Sequence, residues 1–228
     1  MPPRQTARIT SRKQPQQARS TELVAAILEA AIQVLAKEGA TRFTTARVAE
    51  KAGVSVGSVY QYFPNKAAIL FRLQSDEWQQ TTQMLRGILE QSDTPALERL
   101  RALVHAFIQS ECAEAQMRGA LNDAAPLYRD APEAIEVRAA GEQAFQDFML
   151  ELLPDATAPM RKLACDLMLS TLSCVGKEFS TRPRTQEDIT MYADTMADMF
   201  AAYLTTLRQP DASLCSALPL LDCDMSVK

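Results

Sequence analysis

Residues 43–66 read F-T-T-A-R-V-A-E-K-A-G-V-S-V-G-S-V-Y-Q-Y-F-P-N-K. A short helix over about Thr45–Ala52, capped by Thr44 or Thr45, closes at Gly53. A second opens after Ser55 and ends near Phe63, since Pro64 cannot continue it. Two helices joined by so short a turn cross steeply only where the contact is small. Ala49 supplies that contact, and Gly53 can take the left-handed backbone the turn requires. Val48, Ala52, Val54, Val59 and Phe63 provide a shared apolar core. The pattern is a helix-turn-helix.

With Val59 as the buried centre of the second helix, Phe63 falls beside it one turn on, and Gly57, Ser58 and Gln61 fall on the opposite side. Tyr60 and Tyr62 are expected to flank that exposed face. Gly57 permits close approach to a groove, Ser58 and Gln61 can reach base edges, and the tyrosine hydroxyls can donate to phosphates. Ser55 caps the helix and can also bind phosphate. Lys66 begins the next helix, whose free backbone amides favour an anion.

Outward from this motif the chain reads as helix throughout. On the N-terminal side, Leu23, Ile27, Ala31, Val34 and Leu35 share one stripe, with Ser20 or Thr21 as N-cap and Gly39 as stop. On the other side a long helix runs from Asn65 or Lys66 to about Glu90, roughly 35–40 Å. Helical periodicity continues over about 95–115, 117–123, 132–153, 158–180 and 186–207, and no segment alternates with period two. The expected fold is all-α, an N-terminal three-helix unit holding the helix-turn-helix followed by a larger C-terminal helical domain. The expected divisions are a disordered basic arm (1–19), the helix-turn-helix domain (20–66), the C-terminal helical domain (67–208), which the resemblance given below assigns to effector binding and dimerisation, and a tail (209–228).

Charge supports the motif. Net charge is −4, but residues 1–66 hold ten Lys and Arg against four acids, a balance of +6. The remainder holds fourteen bases against twenty-four acids, a balance of −10. Such asymmetry fits a polyanion-binding segment on an acidic body.

The run V-S-V-G-S-V-Y-Q-Y-F-P-N-K (54–66) resembles the signature of the tetracycline-repressor (TetR) family. T-T-A-R-V-A-E-K-A-G (44–53) and the first helix ending A-A-I-Q-V-L-A-K-E-G at Gly39 are similar to it as well. The specific likeness covers about residues 22–73; beyond it only length and helicity match. The resemblance implies a homodimer on a near-palindromic double-stranded DNA operator, with an effector pocket in the C-terminal domain. Matched residue by residue, it implies DNA contacts at Thr44, Thr45, Arg47, Ser55, Val56, Gly57, Ser58, Tyr60, Gln61, Tyr62 and Lys66, where Val56 could meet only a thymine methyl.

For the effector, the resemblance points to the helices after the DNA unit. Trp78, His105, Ile108, Cys112, Met117, Leu121, Phe145, Met149 and Met168 are the candidates, since Met and aromatic side chains suit an apolar ligand. With few basic groups among them, the expected effector is neutral or aromatic. It would act by swinging the long helix and changing the separation of two recognition helices. The last two helices carry apolar and small residues on more than one side. Leu167, Leu172, Met196, Met199, Phe200 and Tyr203 are the candidate dimer interface.

Enzyme chemistry finds no parts. His105 is the single histidine, and there is no Gly-rich phosphate loop, H-E-x-x-H or Ser/His/Asp set. Cys112, Cys165, Cys174, Cys215 and Cys223 follow no metal or disulfide spacing, so no metal and no cofactor is expected. With neither a membrane span nor a secretory leader, the expected location is cytoplasmic. The expected function is a ligand-released repressor. The alternative is an activator or chromosome-organising DNA-binding protein on the same fold.

Overall fold

The computed structural model describes residues 9–11 and 18–208, without the side chains of 18, 19 and 137–142. Its helices are α1 (Ala18–Arg42), α2 (Thr45–Ala52), α3 (Val56–Tyr62), α4 (Lys66–Leu89), α5 (Ala96–Ala113), α6 (Ala115–Ala124), α7 (Pro132–Leu152), α8 (Ala158–Ser180) and α9 (Gln186–Arg208). A 3-10 turn, Ala125–Leu127, follows α6, and the described residues contain no strand. The expected tail, with Cys215 and Cys223, lies outside the described residues.

Four helix starts follow from caps visible in the sequence. Thr44, Ser55, Asn65 and Thr157 each accept a backbone N–H at the start of α2, α3, α4 and α8. Among the described glycines two have positive φ: Gly53 (φ 66) closes α2, and Gly39 (φ 72, ψ 171) breaks α1 three residues before its end. One boundary differs from expectation. α1 starts at Ala18, ahead of the anticipated caps Ser20 and Thr21.

The side chains fill two cores. The first holds α1 to α3, the first turns of α4, then Leu121, Ala124, Tyr128, Ala131 and Ala134 from the α6–α7 region. The second gathers Leu89 with α5, the end of α7, α8 and α9. Packing therefore does not break at 66/67, because Ala67–Leu73 belong with the DNA-binding helices and α6 packs on α1. Within the stretch expected as an arm, Ile9, the one large apolar residue between Arg4 and Thr21, is 2% exposed and sits in the first core.

Between the two cores lies a buried polar network. Arg118 of α6 pairs with Glu77 of α4 (3.0 Å), Glu111 of α5 and Glu114 at the α5–α6 junction (2.9 Å), and it donates to Thr81 (2.9 Å) and Ser110 (3.3 Å). Gln74 donates to Glu77 (2.8 Å), and the Tyr128 hydroxyl donates to Gln74 (3.1 Å) and the Leu121 carbonyl (3.0 Å). Burial pushes the Glu77 carboxyl above the usual carboxylate range, against the pull of Arg118. Burial, helped by Glu77, likewise raises the Tyr128 phenol.

In the second core α8 approaches α5 closely at Gly176. A Cβ on Gly176 would stand 3.0 Å from Phe107 Cε1 and 3.4 Å from both Glu111 Cγ and Ile108 Cδ1. Valine there must push a ring and a core isoleucine aside. Gly176→Val should lower stability by about 1–3 kcal/mol in denaturant unfolding, and an unchanged midpoint would show that the crossing can open.

Candidate DNA-reading surface and effector cleft

The turn between α2 and α3 spans Gly53–Ser55. Gly53 N–H reaches the Glu50 carbonyl (3.2 Å) and Val54 N–H the Ala49 carbonyl (3.0 Å), so the turn carries its own backbone hydrogen bonds. Val48, Ala49, Val59 and Phe63 are at most 1% exposed and fix the crossing. What remains outside is a narrow face. Thr44, Arg47, Ser55, Val56, Gly57, Tyr60 and Gln61 are exposed, while Ser58 and Lys66 are half-buried.

Two candidate contacts are not on that face. Tyr62 is 6% exposed and belongs to the first core. It stands three residues after Val59, about 60° away on a 3.6-residue helix, so it joins the buried stripe and does not frame the groove face. Thr45 is also buried, at 7%, on the inner side of the first turn of α2.

Three exposed candidates already have partners. Ser55 Oγ accepts from Ser58 N–H (3.0 Å) and lies 2.8 Å from Ser58 Oγ, and Thr44 Oγ1 accepts from Arg47 N–H (3.3 Å). The Arg47 guanidinium pairs with Glu38 of α1. Tyr60 and Gln61 are the long polar side chains that project from α3.

The effector candidates scatter. Ile108, Phe145, Met149 and Met168 are packed in the second core, Leu121 lies in the first, and Met117 packs against the first. Apolar residues at helical spacing here fill helix interfaces at close-packed density. Trp78 is half-buried on α4. His105 faces α9, where its Nε2 lies 2.9 Å from Asp194 Oδ1 beside the Arg101–Asp194 pair. Its hydrogen bond, with that of Arg101, holds the Asp194 carboxyl below the usual range. His105 is thus a clasp between α5 and α9, not a pocket wall.

Cys112 alone of the set lines the large cleft, about 980 Å³, between the end of α1, the α5–α6 corner and the α8–α9 connection. Burial pushes its thiol up, which argues against a reactive thiolate. The sequence reading missed the rest of this wall: Leu35, Ala36, Gln116, Arg118, Lys177, Arg182 and Arg184. Arg118, Lys177, Arg182 and Arg184 give this wall a basic side.

The dimer candidates divide as well. Leu172, Met196 and Phe200 are buried within the subunit, and Tyr203 is half-buried against the same core. Leu167 (50%) and Met199 (51%) are exposed, together with Leu163 (60%) on α8 and Met191 (64%) on α9. α8 and α9 thus keep one apolar stripe for their own subunit and leave a second uncovered.

Two family profiles match this architecture. Residues 27–73 match the bacterial regulatory proteins of the tetR family, and residues 95–207 match the tetracyclin repressor-like C-terminal domain. The chain belongs to the tetracycline-repressor family. Members of this family are DNA-binding transcriptional regulators and not enzymes.

Among curated relatives of the family, the nucleoid occlusion factor SlmA of Vibrio campbellii is 38% identical over 84 residues, 36% of this chain and 42% of that protein. The fatty acid metabolism regulator protein of Bacillus subtilis is 31% identical over 78 residues, 34% of this chain and 40% of its own length. The chain thus matches about two fifths of the length of these relatives. Solved structures share the fold over nearly their whole length. FadR from Bacillus halodurans superposes with a TM-score of 0.63 at 20% identity, covering 86% of this chain and 99% of its own. FadR from Bacillus subtilis in complex with stearoyl-CoA gives 0.60 at 16% identity, covering 78% and 98%. Among the described residues no helix is long and apolar enough to cross a membrane.

Proposed function

We propose that this regulator is a repressor that holds a near-palindromic operator as a homodimer and leaves it when a small molecule occupies the C-terminal half. The carrying observation is the exposed face of α3. Val56, Gly57, Tyr60 and Gln61 project from a helix whose inner side is locked by Val59, Tyr62 and Phe63. A two-fold pairing through the uncovered α8–α9 stripe would present two such helices to half-sites about 34–36 Å apart.

Gln61 and Lys66 separate base reading from charge. Gln61→Ala should relax preference at one or two operator positions, at about 1–3 kcal/mol. Lys66→Ala should weaken every sequence alike and reduce the salt slope by about one. Anisotropy titrations on operator and random DNA decide, and equal losses on both for Gln61→Ala would remove it from base readout.

The likeness to a nucleoid occlusion factor favours one second reading, a chromosome-organising protein. Genome-wide footprinting separates them: one or two sites at a promoter for a repressor, many dispersed sites for an organiser. The stearoyl-CoA held by the Bacillus subtilis FadR makes long-chain acyl thioesters the first compounds to screen for release, with Trp78 fluorescence as readout.

A further inference from the structure

We propose that the cleft between α1, α6 and the α8–α9 connection is the effector site, and that it takes an amphipathic anion: a phosphate, carboxylate or sulfonate on an apolar body. The inference rests on the ligand-release reading above and adds the site, the charge of the ligand and its route to the DNA unit. At about 980 Å³ the cleft is at the upper end of the range for small-molecule sites. Its walls divide by character. Leu35, Ala36 and Ile189 are apolar, and Lys177, Arg182 and Arg184 are cationic.

None of these three cations takes part in a salt bridge among the described residues. Of the two carboxylates on the wall, Glu111 is buried and paired with Arg118 and Asp123 is exposed, so three cations outside any salt bridge stand against one exposed acid and the balance is positive. The cationic side is also held in place. Arg184 donates through Nε to the Phe179 carbonyl (2.9 Å) and lies 4.3 Å over the Phe179 ring, which stacks on Tyr192 at 3.9 Å and 14°. Its two terminal nitrogens are left for a ligand. Pro183 fixes the backbone between Arg182 and Arg184, and Gln186 ties the connection to Gln109 of α5 (2.9 Å). A guanidinium ordered before binding, as that of Arg184 is, loses little freedom on meeting an anion.

The cleft also reaches the DNA unit directly. Gln116 of α6 donates to the Ala36 carbonyl (2.8 Å), three residues before the break at Gly39, and both residues line the cleft. A ligand bridging Arg182 and Arg184 to the apolar side of α1 bears on this contact, so the signal enters through α1 and not through the pocket expected beside Trp78.

Calorimetric titration of the full-length protein tests the site with decyl phosphate, 1-decanol and inorganic phosphate. Decyl phosphate should bind at least tenfold more tightly than either of the others, and Arg182→Ala should weaken it at least tenfold. Arg182 is exposed and makes no salt bridge, so its removal leaves the fold intact, and unchanged circular dichroism verifies this. Decanol binding as tightly as decyl phosphate, an unaffected Arg182→Ala variant, or no binding by any of the three would overturn the site. Operator affinity then tests the route. Decyl phosphate should weaken it at least fivefold in the wild type, and by less in Gln116→Ala. Site binding with unchanged operator affinity would refute the release reading while leaving the anion site standing. Release that Gln116→Ala does not diminish would refute the route through α1.

Discussion

Arg118→Ala should destabilise the folded chain by about 3–5 kcal/mol, a large part of the 5–15 kcal/mol that holds a typical domain together. Arg118 is 8% exposed and is the cation that faces Glu77 and Glu111 inside the protein. Removing it leaves two carboxylates in a low-dielectric space with their counter-charge gone, which costs more than the pair contributed when intact. The deficit should depend on pH with a definite sign. The Glu77 carboxyl is raised by burial even with Arg118 beside it, and without Arg118 it rises further. A carboxyl whose folded pKa exceeds its unfolded 4.5 favours the fold most when protonated and loses that contribution as pH rises through the folded value. The variant should therefore lose most of its stability at neutral pH and recover part of it toward pH 5. Denaturant titration at both pH values measures this, and a pH-independent deficit would mean that lost packing is the cause. Replacing Glu77, Glu111 and Arg118 together by Leu, Leu and Met should restore much of the stability, as apolar swaps of buried ion networks do.

The second large effect concerns association. Leu163→Glu with Leu167→Glu should leave the subunit folded, because both side chains are at least half exposed in the single chain. It should nevertheless break the dimer by placing charges on the stripe proposed to meet its copy. Binding two half-sites with linked recognition helices gains on the order of 10²- to 10⁴-fold over one, so operator affinity should fall by about that factor while half-site affinity stays constant. Sedimentation and anisotropy give the two numbers. An intact dimer in the double variant would place the interface elsewhere. Phe200→Arg serves as contrast: Phe200 is 4% exposed in its own subunit, and this change should unfold the chain.

How far the sequence could be read follows from range. Caps, turn glycines and helical periodicity are local, so Thr44, Ser55, Asn65 and Gly53 marked α2, α3 and α4 to within a residue. Burial is local only within one helix, and even there Tyr62 was assigned to the wrong side of α3 by one wheel position. The cleft was not legible at all. Its walls come from positions as distant as Leu35, Gln116 and Arg184, and nothing in the spacing of a basic T-R-P-R-T connection tells that α1 lies across from it. The dimer candidates divide for the same reason. α8 and α9 are apolar on two sides, and periodicity cannot say which side the subunit keeps.

The shortness of the DNA-reading helices has a consequence for genetics. α2 has eight residues and α3 seven, and helices that short have no stability of their own in water. They exist because Phe43, Val48, Val59 and Phe63 are sealed beneath them. A selection for mutants that have lost control of their promoter samples every way of losing α3, and melting it from below is as effective as altering a contact from above. Such a screen should return substitutions at those sealed positions and at Gly53 more often than at Gln61 or Tyr60. A map of defective alleles would then outline the underside of the helix-turn-helix more sharply than the side that meets DNA.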